Sequence, residues 1–215
     1  MGSFIHKLIA LLKRWRKAPI EVEQELIAGT YEEKRDSDPV KSGSLDLFNQ
    51  ALESMRAGNL KSAETTLGEL IRIEPHNQQA LVYYGMATMP HDFQGAGHAL
   101  NRALALSPDD SGALYWAGEL RWLQREWDSA IQLTERLARM YPAPQNWGRL
   151  GFLYKEAGLN QDAVEAFTKA TKPEWIEATS GVGNKEKGRS LFYLDQLEDK
   201  ERFSAELASL CDKQP

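Results

Sequence analysis

Two stretches of the chain carry residue types that bind metal ions or phosphates, and the first surrounds two histidines. His91 and His98 lie near Asp92, Met86 and Met89, and nitrogen, oxygen and sulfur donors of this kind are metal ligands in proteins. The seven-residue separation of the histidines crosses a predicted turn, and no second donor cluster supports the site. We therefore expect a solvated loop here, and no metal.

The second stretch, residues 183–190, reads Gly-Asn-Lys-Glu-Lys-Gly-Arg-Ser. It is similar to the phosphate-binding pattern GxxxxGK followed by Ser or Thr, but Arg189 stands in place of the lysine and no strand is predicted before it. The patterns HExxH, CxxC and GxSxG do not occur in the sequence. We therefore expect no catalytic residues and no cofactor.

Charge is unevenly distributed along the 215 residues, although the net charge is only −5. Residues 1–20 hold five Lys or Arg and no acid, which leaves 21 bases against 31 acids and a net charge of −10 for the rest. An acidic body of this kind disfavours nucleic acid as a partner. The single cysteine, Cys211, excludes an internal disulfide and favours a reducing compartment.

The basic residues at the start belong to a predicted amphipathic helix over 1–17, which Pro19 ends. Its apolar stretch is too short to span a bilayer, but a basic amphipathic helix suits an anionic membrane surface. The expected membrane contacts are Phe4, Ile5, Lys7, Leu8, Leu12, Lys13, Arg14, Trp15, Arg16 and Lys17. Docking of this helix into a protein groove and a cleaved organellar presequence are the alternatives. An acidic linker is predicted to follow over 18–43.

Residues 147–170 contain eight apolar or small residues at a characteristic spacing. They are Trp147, Leu150, Gly151, Tyr154, Gly158, Ala163, Phe167 and Ala170. This pattern closely resembles the tetratricopeptide repeat, a helix–turn–helix of 34 residues. In that motif the small residues let the two helices approach closely, the large ones fill the space between them, and Gly158 opens the turn.

Weaker copies of the same pattern precede this one, and prolines recur at 75, 108 and 142. The resemblance implies an all-α fold, an α-solenoid of about four tetratricopeptide helix pairs over 44–172, preceded by the amphipathic N-terminal helix. The predicted repeats are 44–77, 78–110, 111–144 and 145–172. Residues 173–215 are predicted to form a loop followed by a C-terminal capping helix pair.

Members of this family bind partners on the concave face, which the first helix of each repeat lines. The positions that the resemblance assigns to this groove are Phe48, Asn49, Tyr83, Met86, Tyr115, Trp116, Glu119, Trp122, Arg149 and Phe152. Aromatic residues and methionine are common in protein-binding surfaces, and an apolar groove suits a helix or an extended peptide. The alternative is that several of these side chains pack between repeats.

The sequence therefore predicts a non-enzymatic adaptor or scaffold that holds a protein partner in an aromatic groove while its N-terminal helix attaches it to a membrane. The expected location is cytoplasmic, on the inner face of that membrane. The alternative is a soluble, self-assembling scaffold or a secretion or assembly chaperone whose N-terminal helix docks into a protein groove. Homo-oligomers are possible in either case.

Overall fold

A computed structural model of the chain describes residues 39–171 and 196–211. All secondary structure in these two ranges is α-helical, as the sequence predicted. The helices are α1 (Pro39–Arg56), α2 (Leu60–Ile73), α3 (Gln78–Thr88), α4 (Phe93–Leu106), α5 (Ser111–Leu123), α6 (Trp127–Met140), α7 (Pro144–Glu156), α8 (Asn160–Ala170) and α9 (Gln196–Cys211). None of these described helices is long and apolar enough to cross a membrane.

The chain divides into two compact units, Met1–Leu120 and Arg121–Pro215. In the first unit α1 packs against α2, α2 against α3, and α3 against α4. In the second unit α6 packs against α7, α7 against α8, and α9 against both α7 and α8. Consecutive helices thus form the antiparallel hairpins expected of short helix–helix connections.

Side-chain caps fix where several of these helices begin. The carboxamide oxygens of Asn59 and Asn77 accept hydrogen bonds from backbone amides three residues later, at the starts of α2 and α3. Asp92 and Asp110 do the same at the starts of α4 and α5, over 2.9 and 2.7 Å. Each cap satisfies an amide that has no partner inside its helix. At these four helix starts, the sequence therefore specifies the residue at which the chain begins a new helix.

Small residues let the paired helices approach closely, as the repeat pattern predicted. A Cβ at Gly85 would lie 2.7 Å from the Leu100 side chain, and one at Gly151 would lie 2.7 Å from the Phe167 ring. Phe167 is fully buried. Any larger side chain at these two glycines would force the helices of the second and fourth hairpins apart.

Parts of the predicted organisation lie outside the described residues. These are the N-terminal helix over 1–17, the linker as far as residue 38, and the stretch 172–195 with the start of the capping pair. Helix α1 begins at Pro39, inside the predicted linker and five residues before the predicted start of the first repeat. Proline is well tolerated at the first position of a helix, where its missing N–H is not needed.

Candidate partner-binding site

Most of the groove residues predicted in the first unit lie in its interior. Phe48 is 0% exposed and Trp116 is 1% exposed, and Tyr83, Met86 and Glu119 are also buried. The rings of Phe48 and Tyr83 meet edge to face with their centroids 5.4 Å apart, which joins α1 to α3. The burial of these five side chains fits the alternative that they pack inside the unit.

Two predicted groove residues of the first unit reach the surface. Asn49 is exposed on α1, and Tyr115 is half-buried on α5. The Tyr115 ring lies edge to face on Trp116 at 5.3 Å. The half-buried tyrosine ring is therefore packed against a buried tryptophan neighbour.

In the second unit, the structure brings Trp122 and Arg149 together and adds Glu156. The Arg149 guanidinium carbon lies 4.3 Å from the centroid of the Trp122 ring, in cation–π geometry. The Trp122 indole Nε1 donates a hydrogen bond of 2.7 Å to the Glu156 carboxylate. We call these three residues the Trp122 cluster. In it, one aromatic ring contacts both a guanidinium and a carboxylate.

Helix periodicity explains why these side chains meet. Arg149 and Glu156 are seven residues apart on α7, which is close to two full turns, so both lie on one face of that helix. Trp122 lies near the end of α5 and packs against a buried apolar cluster that includes Ile131 and Leu153. The apolar body of the indole is thus fixed while its N–H edge meets the carboxylate. Both Trp122 and Arg149 are half-buried, and Glu156 is exposed.

Glu156 was absent from the predicted groove, although a signal for it was present in the sequence. The family pattern assigns Arg149 to the groove but not Glu156. Two helical turns separate the two residues, so the spacing of seven in the sequence already places Glu156 on the face of Arg149.

The remaining predicted residue, Phe152, lies on α7 and is covered by α9. Its ring centroid is 5.1 Å from that of Phe167 and 5.9 Å from that of Phe203. The Arg202 guanidinium carbon lies 4.2 Å from the Phe152 ring centroid. Close by, the Lys155 ammonium forms an ion pair with Glu206 of α9. Phe152 is therefore half-buried by the chain's own C-terminal helix.

A third cation–aromatic pair in the same unit was not predicted. The Lys169 ammonium lies 4.6 Å from the Trp147 ring centroid and donates a 2.6 Å hydrogen bond to Glu165. That hydrogen bond, with the attraction of the nearby charge, lowers the pKa of the exposed Glu165 carboxyl. Trp147 is half-buried between two apolar clusters, so this pair forms the rim of a packed core.

The histidine region considered for metal binding contains a close contact between an imidazole and a carboxylate in the structure. His91 Nε2 lies 3.0 Å from Glu64, which also pairs with Lys61 at 3.0 Å. Within residues 39–171 and 196–211, no group of three or more His, Cys, Asp or Glu side chains has the arrangement of a metal site.

Known proteins resemble this chain in one sequence segment and in the arrangement of its helices. Residues 91–145 match the family model of the tetratricopeptide repeat. Among solved structures, a tetratricopeptide repeat protein of Thermus thermophilus is similar with a TM-score of 0.59 at 16% identity, over 96% of this chain and 98% of that one. A MamA structure from Desulfovibrio magneticus RS-1 gives a TM-score of 0.56 at 20% identity, over 79% of this chain and 93% of that one.

An O-GlcNAc transferase mutant of Thermobaculum terrenum is also similar, with a TM-score of 0.58 at 18% identity, but over only 27% of its own length and 63% of this chain. No curated protein matches the chain in sequence. The structural likenesses confirm the predicted all-α helix-pair fold of the solenoid class. One segment of the chain therefore matches the tetratricopeptide repeat family in sequence, and its helices share the fold of a solved tetratricopeptide repeat protein.

Proposed function

We propose that this chain is a non-enzymatic scaffold that binds a protein partner at the Trp122 cluster. The observation that carries the proposal is the half-buried Trp122 ring, stacked under Arg149 and hydrogen-bonded to Glu156. Tryptophan and arginine are the residue types most enriched among the residues that dominate binding energy in protein interfaces. Here both are already held in place, so that little side-chain entropy is lost when a partner docks.

The chemistry of the cluster indicates what kind of partner surface it accepts. The ring offers apolar area, and the exposed Glu156 offers carboxylate oxygens to a backbone or side-chain N–H. A peptide segment that carries both apolar groups and N–H donors satisfies both. A tetratricopeptide scaffold presenting such a site fits protein binding better than catalysis.

The second part of the proposal concerns attachment, and it rests on the sequence of the first 17 residues. Five cationic side chains and a terminal Trp15 on an amphipathic pattern match the composition of helices that lie in the membrane interface. Each cation near an anionic surface contributes on the order of 1 kcal/mol, so five favour reversible recruitment. The scaffold then holds its partner beside a membrane.

The test of the binding site is a comparison of proteins that co-purify with variants of the full chain. Trp122→Ala and Glu156→Gln should each lose partners that the wild type retains, and purified partners should bind Trp122→Ala more weakly by about 30-fold, the level of a dominant interface residue. Arg139→Ala removes an exposed cation elsewhere in the second unit and serves as the matched control.

Two outcomes separate binding from folding. Glu156→Gln keeps the shape of an exposed side chain, so loss of partners without any change in circular dichroism supports the site. Equal capture by wild type, Trp122→Ala and Glu156→Gln would show that the partner docks elsewhere.

A further inference from the structure

We propose that the C-terminal helix α9 is a built-in competitor for a helix-binding face on α7, and that a partner helix of the same chemistry displaces it. The face consists of Gly148, Phe152 and Lys155. The competing partner would be an amphipathic helix with an aromatic residue followed three positions later by an acid. This inference extends the proposed scaffold function by naming a class of partner and a way in which access is controlled.

The apolar part of the face is a pocket that exists because Gly148 has no side chain. Any Cβ at Gly148 would overlap the ring of Phe203, so the ring occupies the space that every other residue type would fill. Phe203 is 3% exposed, and its ring centroid lies 6.1 Å from that of Phe167 and 5.9 Å from that of Phe152. An aromatic side chain delivered by a helix is thus what this pocket accommodates.

The polar part of the face fixes the register of the helix. Glu206 lies three residues after Phe203, on the same side of α9, and pairs with Lys155. Arg202 stacks on the Phe152 ring at 4.2 Å from its centroid. One buried ring, one ion pair and one cation–π contact therefore define a short recognition pattern that another helix can reproduce.

The attachment of α9 is suited to exchange. Among residues 201–211, Phe203 and Leu210 are the buried side chains, Leu207 is half-buried against the same core, and most of the others are exposed. Over residues 201–211 this helix therefore has few buried apolar side chains, a property of the parts of a protein that open most readily.

These contacts fall on positions of α7 that the repeat pattern assigns to partner binding. Phe152 is one of the predicted groove residues, and Gly148 and Lys155 lie one turn before and after it on the same face. The chain's own helix therefore occupies part of the surface that a partner would use.

The experiment measures binding of a synthetic peptide to full-length chains. The probe is a fluorescein-labelled peptide of residues 196–215 with Cys211→Ser, followed by fluorescence anisotropy. The full chain carrying Phe203→Ala should bind the peptide about 10-fold or more tightly than wild type, because its own helix no longer competes at high effective concentration. A peptide with Phe203→Ala should bind neither chain.

A charge exchange tests the register. Adding Lys155→Glu to the Phe203→Ala chain should weaken binding of the peptide, and a peptide with Glu206→Lys should restore it. If Phe203→Ala fails to fold by circular dichroism, the full chain with Glu206→Lys loosens α9 through the ion pair alone and takes its place.

Three results would overturn the proposal. The first is equal affinity of the peptide for the wild-type chain and the loosened chain. The second is peptide binding that the charge exchange does not change. The third is a wild-type dimer in light scattering that becomes a monomer with Phe203→Ala. The last result would place α9 on a second copy. Failure of the peptide assay leaves the Trp122 cluster standing, because that cluster is tested with captured partners and not with this peptide.

Discussion

At the residue scale, the turn between two paired helices contains a residue with a positive φ angle. This residue is glycine in two turns and arginine in a third. Gly58 and Gly158 have φ angles of 80° and 81° in the first and fourth hairpins. The corresponding residue after α5 is Arg125, with a φ angle of 63°. A non-glycine residue in this left-handed region is strained by about 1–2 kcal/mol.

Replacing that arginine should therefore stabilise the chain. We expect Arg125→Gly to raise the free energy of unfolding by about 0.5–1 kcal/mol, the relief of strain less the larger entropy of glycine in the unfolded state. The converse variant, Gly158→Ala, should lose about 1 kcal/mol. Urea unfolding followed by circular dichroism measures both. A less stable Arg125→Gly chain would contradict the assignment of strain to this turn.

Sequence reasoning located part of the candidate site because helix periodicity assigns each side chain to a face. It found Trp122, Arg149 and Phe152, which lie at or near the surface of the second unit. It could not tell that Trp116 is interior or that Phe152 is covered. Position on a helix face says where a side chain points, whereas exposure depends on which other helix packs there, and that depends on residues distant in the sequence.

At the element scale, α6 and α7 are joined by a tyrosine, a carboxylate and an arginine. The Tyr154 hydroxyl of α7 donates to Glu135 of α6, and the other oxygen of that carboxylate lies 3.0 Å from Arg139. Burial raises the pKa of the Tyr154 phenol, and its hydrogen bond to Glu135 raises it further. The neutral tyrosine is therefore the form that holds these two helices together.

This hydrogen bond predicts that the free energy of unfolding falls at high pH. The unfolded chain ionises Tyr154 near pH 10, while the folded chain keeps it neutral, so its contribution is complete below about pH 10 and is lost above it. Tyr154→Phe should destabilise the chain by about 1 kcal/mol at pH 8. The difference in the free energy of unfolding between the two chains should shrink between pH 10 and 11. The upper limit of this change is about 1.4 kcal/mol per pH unit. The actual change should be smaller, because solvent screens a half-buried ring.

Urea unfolding of both chains at pH 8, 10 and 11 measures this effect. Arg139→Ala is the matched control, because it removes the other partner of Glu135 without removing a phenol. A Tyr154→Phe difference that stays constant up to pH 11 would show that the phenol has no raised pKa in the folded chain.

The helices themselves were largely predictable, because short sequence signals mark their ends. Prolines at 75, 108 and 142 follow the ends of α2, α4 and α6, and capping Asn or Asp residues precede α2 to α5. Helix α1 begins five residues before the predicted first repeat, at Pro39, although Pro39 and Gly43 are typical of a linker in sequence. A proline at the first helical position and an exposed glycine in the first turns are both compatible with a helix once α2 packs against it.

At the scale of the whole molecule, the chain combines a basic start with an acidic remainder. The division between its two compact units, at Leu120 and Arg121, falls inside α5. The spacing of the repeats continues without interruption through that point, so nothing in the sequence signals it. The spacing of the sequence pattern indicates the helix pair that repeats along the chain. The division into compact units depends instead on contacts between residues distant in sequence.

The charge distribution predicts how the whole chain behaves toward lipid. Full-length protein should co-sediment with vesicles containing anionic lipid, and deletion of residues 1–17 should abolish this while leaving urea unfolding of the helical units unchanged. Binding should weaken as salt is raised, because exposed charges are screened within about 8 Å at physiological ionic strength. Vesicles of neutral lipid alone should bind the full chain far less.

The parts of the N-terminal segment should contribute in distinguishable ways. Replacing all five of its cations with Gln should remove the preference for anionic vesicles, whereas Trp15→Ala should weaken binding to both kinds of vesicle because it removes apolar area. Retained co-sedimentation after deletion of 1–17 would place the membrane contact in the acidic remainder. Since a net charge of −10 repels an anionic surface, that contact would then have to be apolar and insensitive to salt.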